Sequence, residues 1–422
     1  MILTSDHDPY EGNRLTQGLG PILSRSDILT KLLQLPPRPV NLKEIPVHIR
    51  LHYLMRLRDL HIPSLEGAKL HTTTDLMLRQ SYRYRNPDSV DTWRMVGAEP
   101  GAYNTPRAPA SAALAVGLSG TGKTEAALRS FNLYPRQVID HDTFPHMANG
   151  LKQVVWLSTD VPATGRSADL AANLMMSWDR ATNGTRFAAA LSKNRRNGIQ
   201  MLDEWRQVAL SHFLGELHLD EIQNLFKIQT LEQRARTKKN EEGRELRIIE
   251  DAALKWILNL TNIWQMPVLL SGTPDGVGAL TKRLATTQRI VTAGYHHFPH
   301  FRNADDPSFC DVFFPHLCEY QYVLKKLPST DGFRQLIIEL TGGLPRIIIA
   351  LWIAAHRVAF ERKDDDLRME DFRKASITYL APLAPAIAAL LSNDPKRMSR
   401  YEDLMPREDG YWALFWSGVT EI

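Results

Sequence analysis

The octapeptide Gly117-Leu118-Ser119-Gly120-Thr121-Gly122-Lys123-Thr124 satisfies the pattern G-x-x-x-x-G-K-[ST] at every fixed position, and no other stretch restricts the fold as tightly. Glycines at these places let the backbone wrap closely and aim N–H groups at phosphate oxygens. In this pattern the lysine, Lys123, reaches the β- and γ-phosphates of ATP, and the hydroxyl of Thr124 is placed to ligate Mg2+. The pattern has physical meaning only between a strand and a helix. Residues 111–116 are a short apolar run that reads as a buried strand. Residues 125–130 read as the helix whose N-terminus holds the phosphates. The expected nucleotide-binding residues are therefore Gly117, Ser119, Gly120, Thr121, Gly122, Lys123, Thr124 and Glu125.

The rest of the chain alternates in a way that suits this start. Residues 153–157 read as a strand, 168–180 and 199–214 as helices, and 216–221 as a strand ending in two acids. A long amphipathic helix over 247–264 and a strand at 268–270 follow. Such alternation predicts an α/β fold with a parallel sheet flanked by helices, whose ligands lie at the carboxyl ends of the strands. The glycine-rich loop and the pair Asp220-Glu221 both fall at such ends. From 331 to 391 only helices are expected. Ahead of the loop, residues 1–40 read as a proline-broken arm with a short helix near 27–34. Residues 45–86 read as helical, with Arg50, Arg56 and Arg58 forming a basic face and a second helix over 74–82. The domain plan is an amino-terminal arm and helical region at 1–100, an α/β nucleotide-binding core at 101–327, a helical lid at 328–391 and a tail at 392–422.

Composition narrows the class. A chain of 422 residues has room for two or three domains. The formal charge of +4 is only mildly basic, so any nucleic-acid contact has to come from a local patch. Two cysteines, Cys310 and Cys318, argue against a disulfide framework and for a reducing cytoplasm. The first residues lack the basic-then-apolar layout of a secretion signal, and the longest apolar stretch, 347–355, is too short to span a bilayer. No membrane partner is expected, and cytoplasmic localisation is. His296, His297, His300 and His316 crowd the two cysteines, but the cysteines are eight residues apart without a C-x-x-C pair. Phe298, Phe301, Phe309, Phe313 and Phe314 are interspersed with them, which reads as packing rather than zinc binding.

Phosphoryl transfer needs more than the loop. Asp220 at a strand end is placed to hold the Mg2+ shell, and Glu221 to polarise the attacking water. His218, two residues earlier, reads as a hydrogen-bonded core or face histidine. The polar end of the strand at 268–270 offers Thr273, and after it Ser271, to orient the water. A positioned cation stabilises the charge that spreads over the γ-phosphate, and a neighbouring subunit often supplies it. Arg289 and Arg283 are the candidates for such a finger. Arg346 sits on the first turn of a helix, where its charge opposes the helix dipole, which suggests a contact with the γ-phosphate from the lid.

Phosphate loop, Asp-Glu strand end, polar strand end, finger arginine and lid arginine, in that order, resemble an AAA+ ATPase. Further segments resemble the TnsC family: Tyr82 to Pro87, Tyr134 to His141, Gln153 to Leu157, Asp160 to Pro162, Leu219 to Leu225, Gly272-Thr273-Pro274, Leu380 to Ala386 and Tyr401 to Leu404. TnsC-like proteins, relatives of TniB and IstB, regulate cut-and-paste transposons. The resemblance, over about 45–406, implies an ATP-dependent homo-oligomeric ring or filament on double-stranded DNA. It implies partners as well: a target selector of the TnsD or TniQ type, in some cases guided by a CRISPR complex, and transposase subunits like TnsA and TnsB. Hydrolysis then disassembles the oligomer. DNA would be gripped through its phosphates, with Arg166, Thr182, Thr185 and Arg186 as the implied contacts, and Arg195-Arg196 a lesser candidate. Two positions depart from the family: His218 stands where an aliphatic residue is usual, and Gln288-Arg289-Ile290 where Arg-Phe is common. An AAA+ replication initiator or helicase loader is the alternative. A small-molecule kinase is the lesser one, having no use for an arginine acting in trans.

Overall fold

The computed structural model describes residues 8–97, 108–192, 197–227, 247–248, 251–274, 276–277 and 284–398. The chain divides into two compact units. The first comprises Met1–Arg25, Lys69–Val116 and Thr124–His296; the second comprises Ser26–Ala68, Gly117–Lys123 and His297–Ile422.

Nine strands are found among the described residues: β1 Ala112–Gly117, β2 Val138–His141, β3 Leu151–Val154, β4 Trp156–Asp160, β5 Glu216–Asp220, β6 Phe226–Lys227, β7 Arg247–Ile248, β8 Val268–Gly272 and β9 Gly294–Phe298. Five form the central sheet, in the order β4-β5-β8-β1-β9. The pairs β4–β5, β5–β8 and β1–β8 are parallel. β1, β5 and β8 are buried along their whole length, as expected of strands covered on both faces. The covering helices include Ser167–Thr182, Gly198–Ser211 and Asp251–Asn262. Trp178, Trp205 and Trp256 join them to the sheet residues Leu157, Leu217 and Leu270 in one core.

Local details differ from the sequence reading. The run 153–157 is two strands. β3 pairs antiparallel with β2, whereas β4 pairs parallel with β5. Val155, between them, donates to Gln137 O and accepts from Glu216 N, so the chain changes sheet at that residue. Both halves are extended and apolar, so periodicity alone cannot see the change. The helix expected from 247 begins at Asp251, and Arg247–Ile248 instead pairs with Phe226–Lys227. The helix expected over 74–82 runs from Leu65 to Tyr84.

In the second unit, the helices Asp331–Thr341, Pro345–Ala359 and Met369–Thr378 pack around Phe333, Trp352 and Phe372. Phe301, Phe309, Phe313 and Phe314 pack against one another, mostly with tilted rings, in the same core. The helix Val47–Met55 shows why its basic face is not simply a surface. Arg50 is buried, with Nη1 and Nη2 donating to the two carboxylate oxygens of Asp365 at 2.8 and 2.5 Å and Nη1 also to Tyr322 O at 2.9 Å. Arg56 is exposed and lies 4.8 Å from the Tyr53 ring centre. Among the described residues no single helix is long and apolar enough to cross a membrane.

Candidate nucleotide site

β1 delivers the chain to the glycine-rich loop. Gly120 and Gly122 take φ of +86° and +92°, a region that residues with a Cβ rarely enter. Thr121 folds back, with N and Oγ1 donating to Leu118 O at 3.3 and 2.9 Å. A Cβ on Gly117 would stand 2.4 Å from Thr121 Oγ1 and 2.6 Å from Phe298 O, so that position admits only glycine. A Cβ on Gly122 would meet nothing within 4 Å, and Ser119 is exposed. The helix Lys123–Phe131 starts at once. Its first N–H groups have no partner within the helix, and with the helix dipole they favour an anion. Lys123 is buried, at 5 % exposure. Glu125 is exposed and its carboxylate takes Arg129 Nε at 2.5 Å.

Within the first unit, Thr124 and Asp220 come together across 96 residues of sequence: Thr124 Oγ1 donates to Asp220 Oδ2 at 2.6 Å. Asp220 Oδ1 accepts from Glu221 N at 2.8 Å and from Ser271 Oγ. Burial works against the charge of Asp220, but nearby His218 and the donors Ser271, Thr124 and Glu221 N–H bring its carboxyl below the usual range. At the adjacent strand end, Asp160 is pushed up, first by burial and then by Asp220. His218 is fully buried and hydrogen-bonded on both sides, Nδ1 to Ser158 Oγ at 2.8 Å and Nε2 to Ser271 Oγ at 2.7 Å. Burial lowers it to about 4 against the opposing pull of Asp220, so the ring is neutral at pH 7.

Glu221 follows with φ 56° and ψ 41°, a left-handed backbone costing about 1–3 kcal/mol in a residue with a Cβ. Several bonds hold it there. Its N–H reaches Asp220 Oδ1, its carbonyl accepts from Asn224 N, and its carboxylate accepts from Gln223 Nε2. Gln223 Oε1 in turn accepts from Thr273 N at 3.2 Å. Gln223 thus links the candidate water-polarising acid to the candidate water-orienting threonine, which is buried at the end of β8. No motif in the sequence gives Ser158, Gln223 or Asp160 a role; the one signal is polar residues interrupting apolar strand ends.

Within the second unit, Arg346 is exposed on the first turn of Pro345–Ala359, and its N–H donates to Gly120 O at 3.3 Å. This helix therefore touches the loop through the backbone, and a Cβ on Gly120 would come within 3.1 Å of Arg346 Cβ. Arg289 is exposed near the end of Leu284–Ile290; Arg283 lies outside the described residues. The four implied DNA contacts do not form one cluster. Arg166 is exposed at the N-cap of Ser167–Thr182, while Thr182, Thr185 and Arg186 lie at the other end, past the left-handed cap Asn183. At 1.5 Å per residue the ends are about 24 Å apart. Thr185 and Arg186 are exposed, but Thr182 Oγ1 is turned back onto Trp178 O at 2.9 Å. Arg195, Arg196 and Tyr401 to Leu404 also lie outside the described residues.

The hydroxyl of Thr124 and the carboxylate of Asp220 are hard oxygen donors within hydrogen-bond reach of each other, a donor set that fits Mg2+. The parallel sheet, its covering helices and the glycine-rich loop define an α/β P-loop ATPase fold. Residues 107–280 match the family model described as an AAA domain. No curated protein matches the sequence. Among solved structures, the chain is similar to a Walker-type ATPase of Pyrococcus abyssi at 14 % identity and a TM-score of 0.36, covering 68 % of this chain and 72 % of that one. It is also similar to the ORC2 protein of Aeropyrum pernix, solved in ADPNP and ADP complexes, at 14 % identity and a TM-score of 0.40, covering 78 % and 89 %.

Proposed function

We propose that this chain is a Mg2+-dependent ATPase that binds double-stranded DNA as a homo-oligomer and regulates transposition in the manner of TnsC-like proteins. The observation that carries the ATPase reading is the Thr124–Asp220 hydrogen bond with Glu221 fixed beside it, which supplies a metal-binding pair and a general base from two distant segments. Lys123 and the loop N–H groups bind the β- and γ-phosphates. Thr124 and Asp220 hold Mg2+, which when bound offsets phosphate charge. Glu221 takes a proton from the attacking water, and Thr273 orients that water. Arg346 contacts the γ-phosphate, and Arg289 of an adjacent subunit stabilises the charge that develops on it.

The transposition reading rests on the TnsC-like segments, and the exposed Arg166, Thr185 and Arg186 support the DNA reading. A DNA path would run along the helix Ser167–Thr182 and touch phosphates at its two ends. Each subunit then adds only a few phosphate contacts, and repetition along the duplex multiplies them. The test is DNA affinity against salt with a non-hydrolysable ATP analogue. Arg186→Ala should weaken binding to unrelated sequences about equally and flatten the slope. Parallel lines of equal height for mutant and wild type would remove this helix from the DNA path. Insertion assays with a Tn7-like transposase and target selector then separate a transposition regulator from a replication initiator.

A further inference from the structure

His218 is an unusual residue for a strand buried on both faces, and its bonds are ordered in a way that can be worked out. Ser271 Oγ lies between two groups, Asp220 Oδ1 and His218 Nε2. A serine hydroxyl has one proton, and an ionised carboxylate only accepts. Ser271 therefore gives its proton to Asp220, and the bond with His218 can form only if Nε2 carries a hydrogen and donates it to Ser271. The neutral ring then accepts at Nδ1 from Ser158 Oγ. The chain of donors runs Ser158, His218, Ser271, Asp220, with Thr124 donating to the second carboxylate oxygen from the opposite side. Ser158 and His218 are register partners on β4 and β5, and Ser271 comes from β8, so three adjacent strands carry the relay. Ser158 is part-buried; His218 and Ser271 are fully buried.

We propose that His218 and Ser271 are positioning residues for Asp220, a donor relay across three strands that fixes the rotation of its carboxylate and leaves Oδ2 turned to Thr124. The relay orients an oxygen that must be in place before a metal–nucleotide complex arrives. An aliphatic residue at 218 would leave Ser271 Oγ free to rotate and Asp220 with one fewer oriented donor. Outer hydrogen-bond partners of a metal ligand commonly carry about 10- to 100-fold in metal affinity. The proposal rests on the reading of Thr124 and Asp220 as the Mg2+ pair.

Two measurements on the full-length protein test it. The first is 15N NMR of the histidine side chains without nucleotide, with the His218 signal assigned by its loss in His218→Leu. The Nε2–H tautomer is expected; the Nδ1–H tautomer would overturn the relay whatever the protein binds. The second is binding of a fluorescent non-hydrolysable ATP analogue, titrated with Mg2+. Ser271→Ala and His218→Leu should raise the Mg2+ needed for half-saturation by roughly 10-fold, with affinity at zero Mg2+ unchanged. His218→Gln keeps a side-chain N–H donor and should stay near wild type. If the Leu and Gln variants behave alike, the histidine only fills space and the proposal fails. Lys123→Ala is the control for the underlying reading: if it binds the analogue like wild type the nucleotide site itself is wrong, whereas lost binding there with no Mg2+ shift in Ser271→Ala refutes the relay alone.

Discussion

Arg50→Ala isolates one buried ion pair and shows how much of the second unit depends on it. The guanidinium is 4 % exposed and Asp365 17 %. The substitution removes the bidentate bond to Asp365, the bond to Tyr322 O and the stacking over Phe360, whose ring centre is 5.4 Å away. What stays behind is a carboxylate with Leu324 N as one remaining donor, at 3.0 Å, and a buried carbonyl short of a partner. Breaking a buried pair from one side costs about 3–5 kcal/mol, and the water that still reaches Asp365 argues for the lower end, about 3. For a body of this size that is a loss of about 6–12 °C in melting temperature. The pH dependence has a definite sign. The Arg50 hydrogen bonds hold the Asp365 carboxyl below its ordinary value. That stabilisation is complete above the unfolded value, about 3.9, and disappears as pH falls through the folded one. Wild type and Arg50→Ala should therefore differ fully at pH 7, and the part of the gap owed to Asp365 should shrink in acid below about pH 4. Calorimetry at both pH values checks this. A shift under 2 °C at neutral pH, or a gap that persists undiminished in acid, would refute the reasoning; Arg50→Lys, with a point charge in place of a fork, should fall between.

Other outcomes follow from the nucleotide site. Lys123→Ala should abolish ATP binding by calorimetry, because the charge between the β- and γ-phosphates is then uncompensated. Glu221→Gln should keep ATP affinity within about twofold while turnover falls about 10²–10⁴-fold. Assemblies on DNA should then outlast those of wild type, and turnover at the wild-type rate would exclude Glu221 as the base. Mixing Lys123→Ala subunits with Arg289→Ala subunits should recover part of the ATPase activity if the finger acts in trans. No recovery with Arg289→Ala, but recovery with Arg283→Ala, would move the finger to position 283.

What could be read from the sequence was whatever is carried by neighbours in the chain. The strand before the loop, the loop and the helix after it are contiguous, and hydrophobic runs place β5 and β8 almost to the residue. His218 reads from its strand context as a hydrogen-bonded interior histidine, and it is one. Its partners were out of reach, because Ser158 and Ser271 lie 60 and 53 residues away and meet it only through strand register. The same reason hides Asp365 from Arg50, which the sequence shows only as part of a basic face and which a partner 315 residues on buries. The switch of sheets at Val155 was invisible for another cause: extended apolar residues look alike whichever neighbour they bond. The implied DNA contacts came from resemblance, which gives an order of residues along the chain and no distance between the ends of a helix.

The tie between Gln223 and the end of β8 also sets an order in which this site can change over time. A Cβ at Gly272 would meet side-chain atoms, Ile222 Cγ1 at 2.6 Å and Gln223 Oε1 at 2.8 Å. A Cβ at Gly276 would meet the Gln223 backbone itself, Cα at 2.6 Å and N at 2.8 Å. Shortening residues 222 and 223 together would therefore relax the crowding at 272 and leave it untouched at 276. A lineage can trade its glycine at 272 only after both side chains have given way, by which time the glutamine bridge between Glu221 and Thr273 is gone. Position 276 has no such permissive step, so the second glycine is locked by the path of the main chain and the first by two side chains, one of which bridges Glu221 and Thr273.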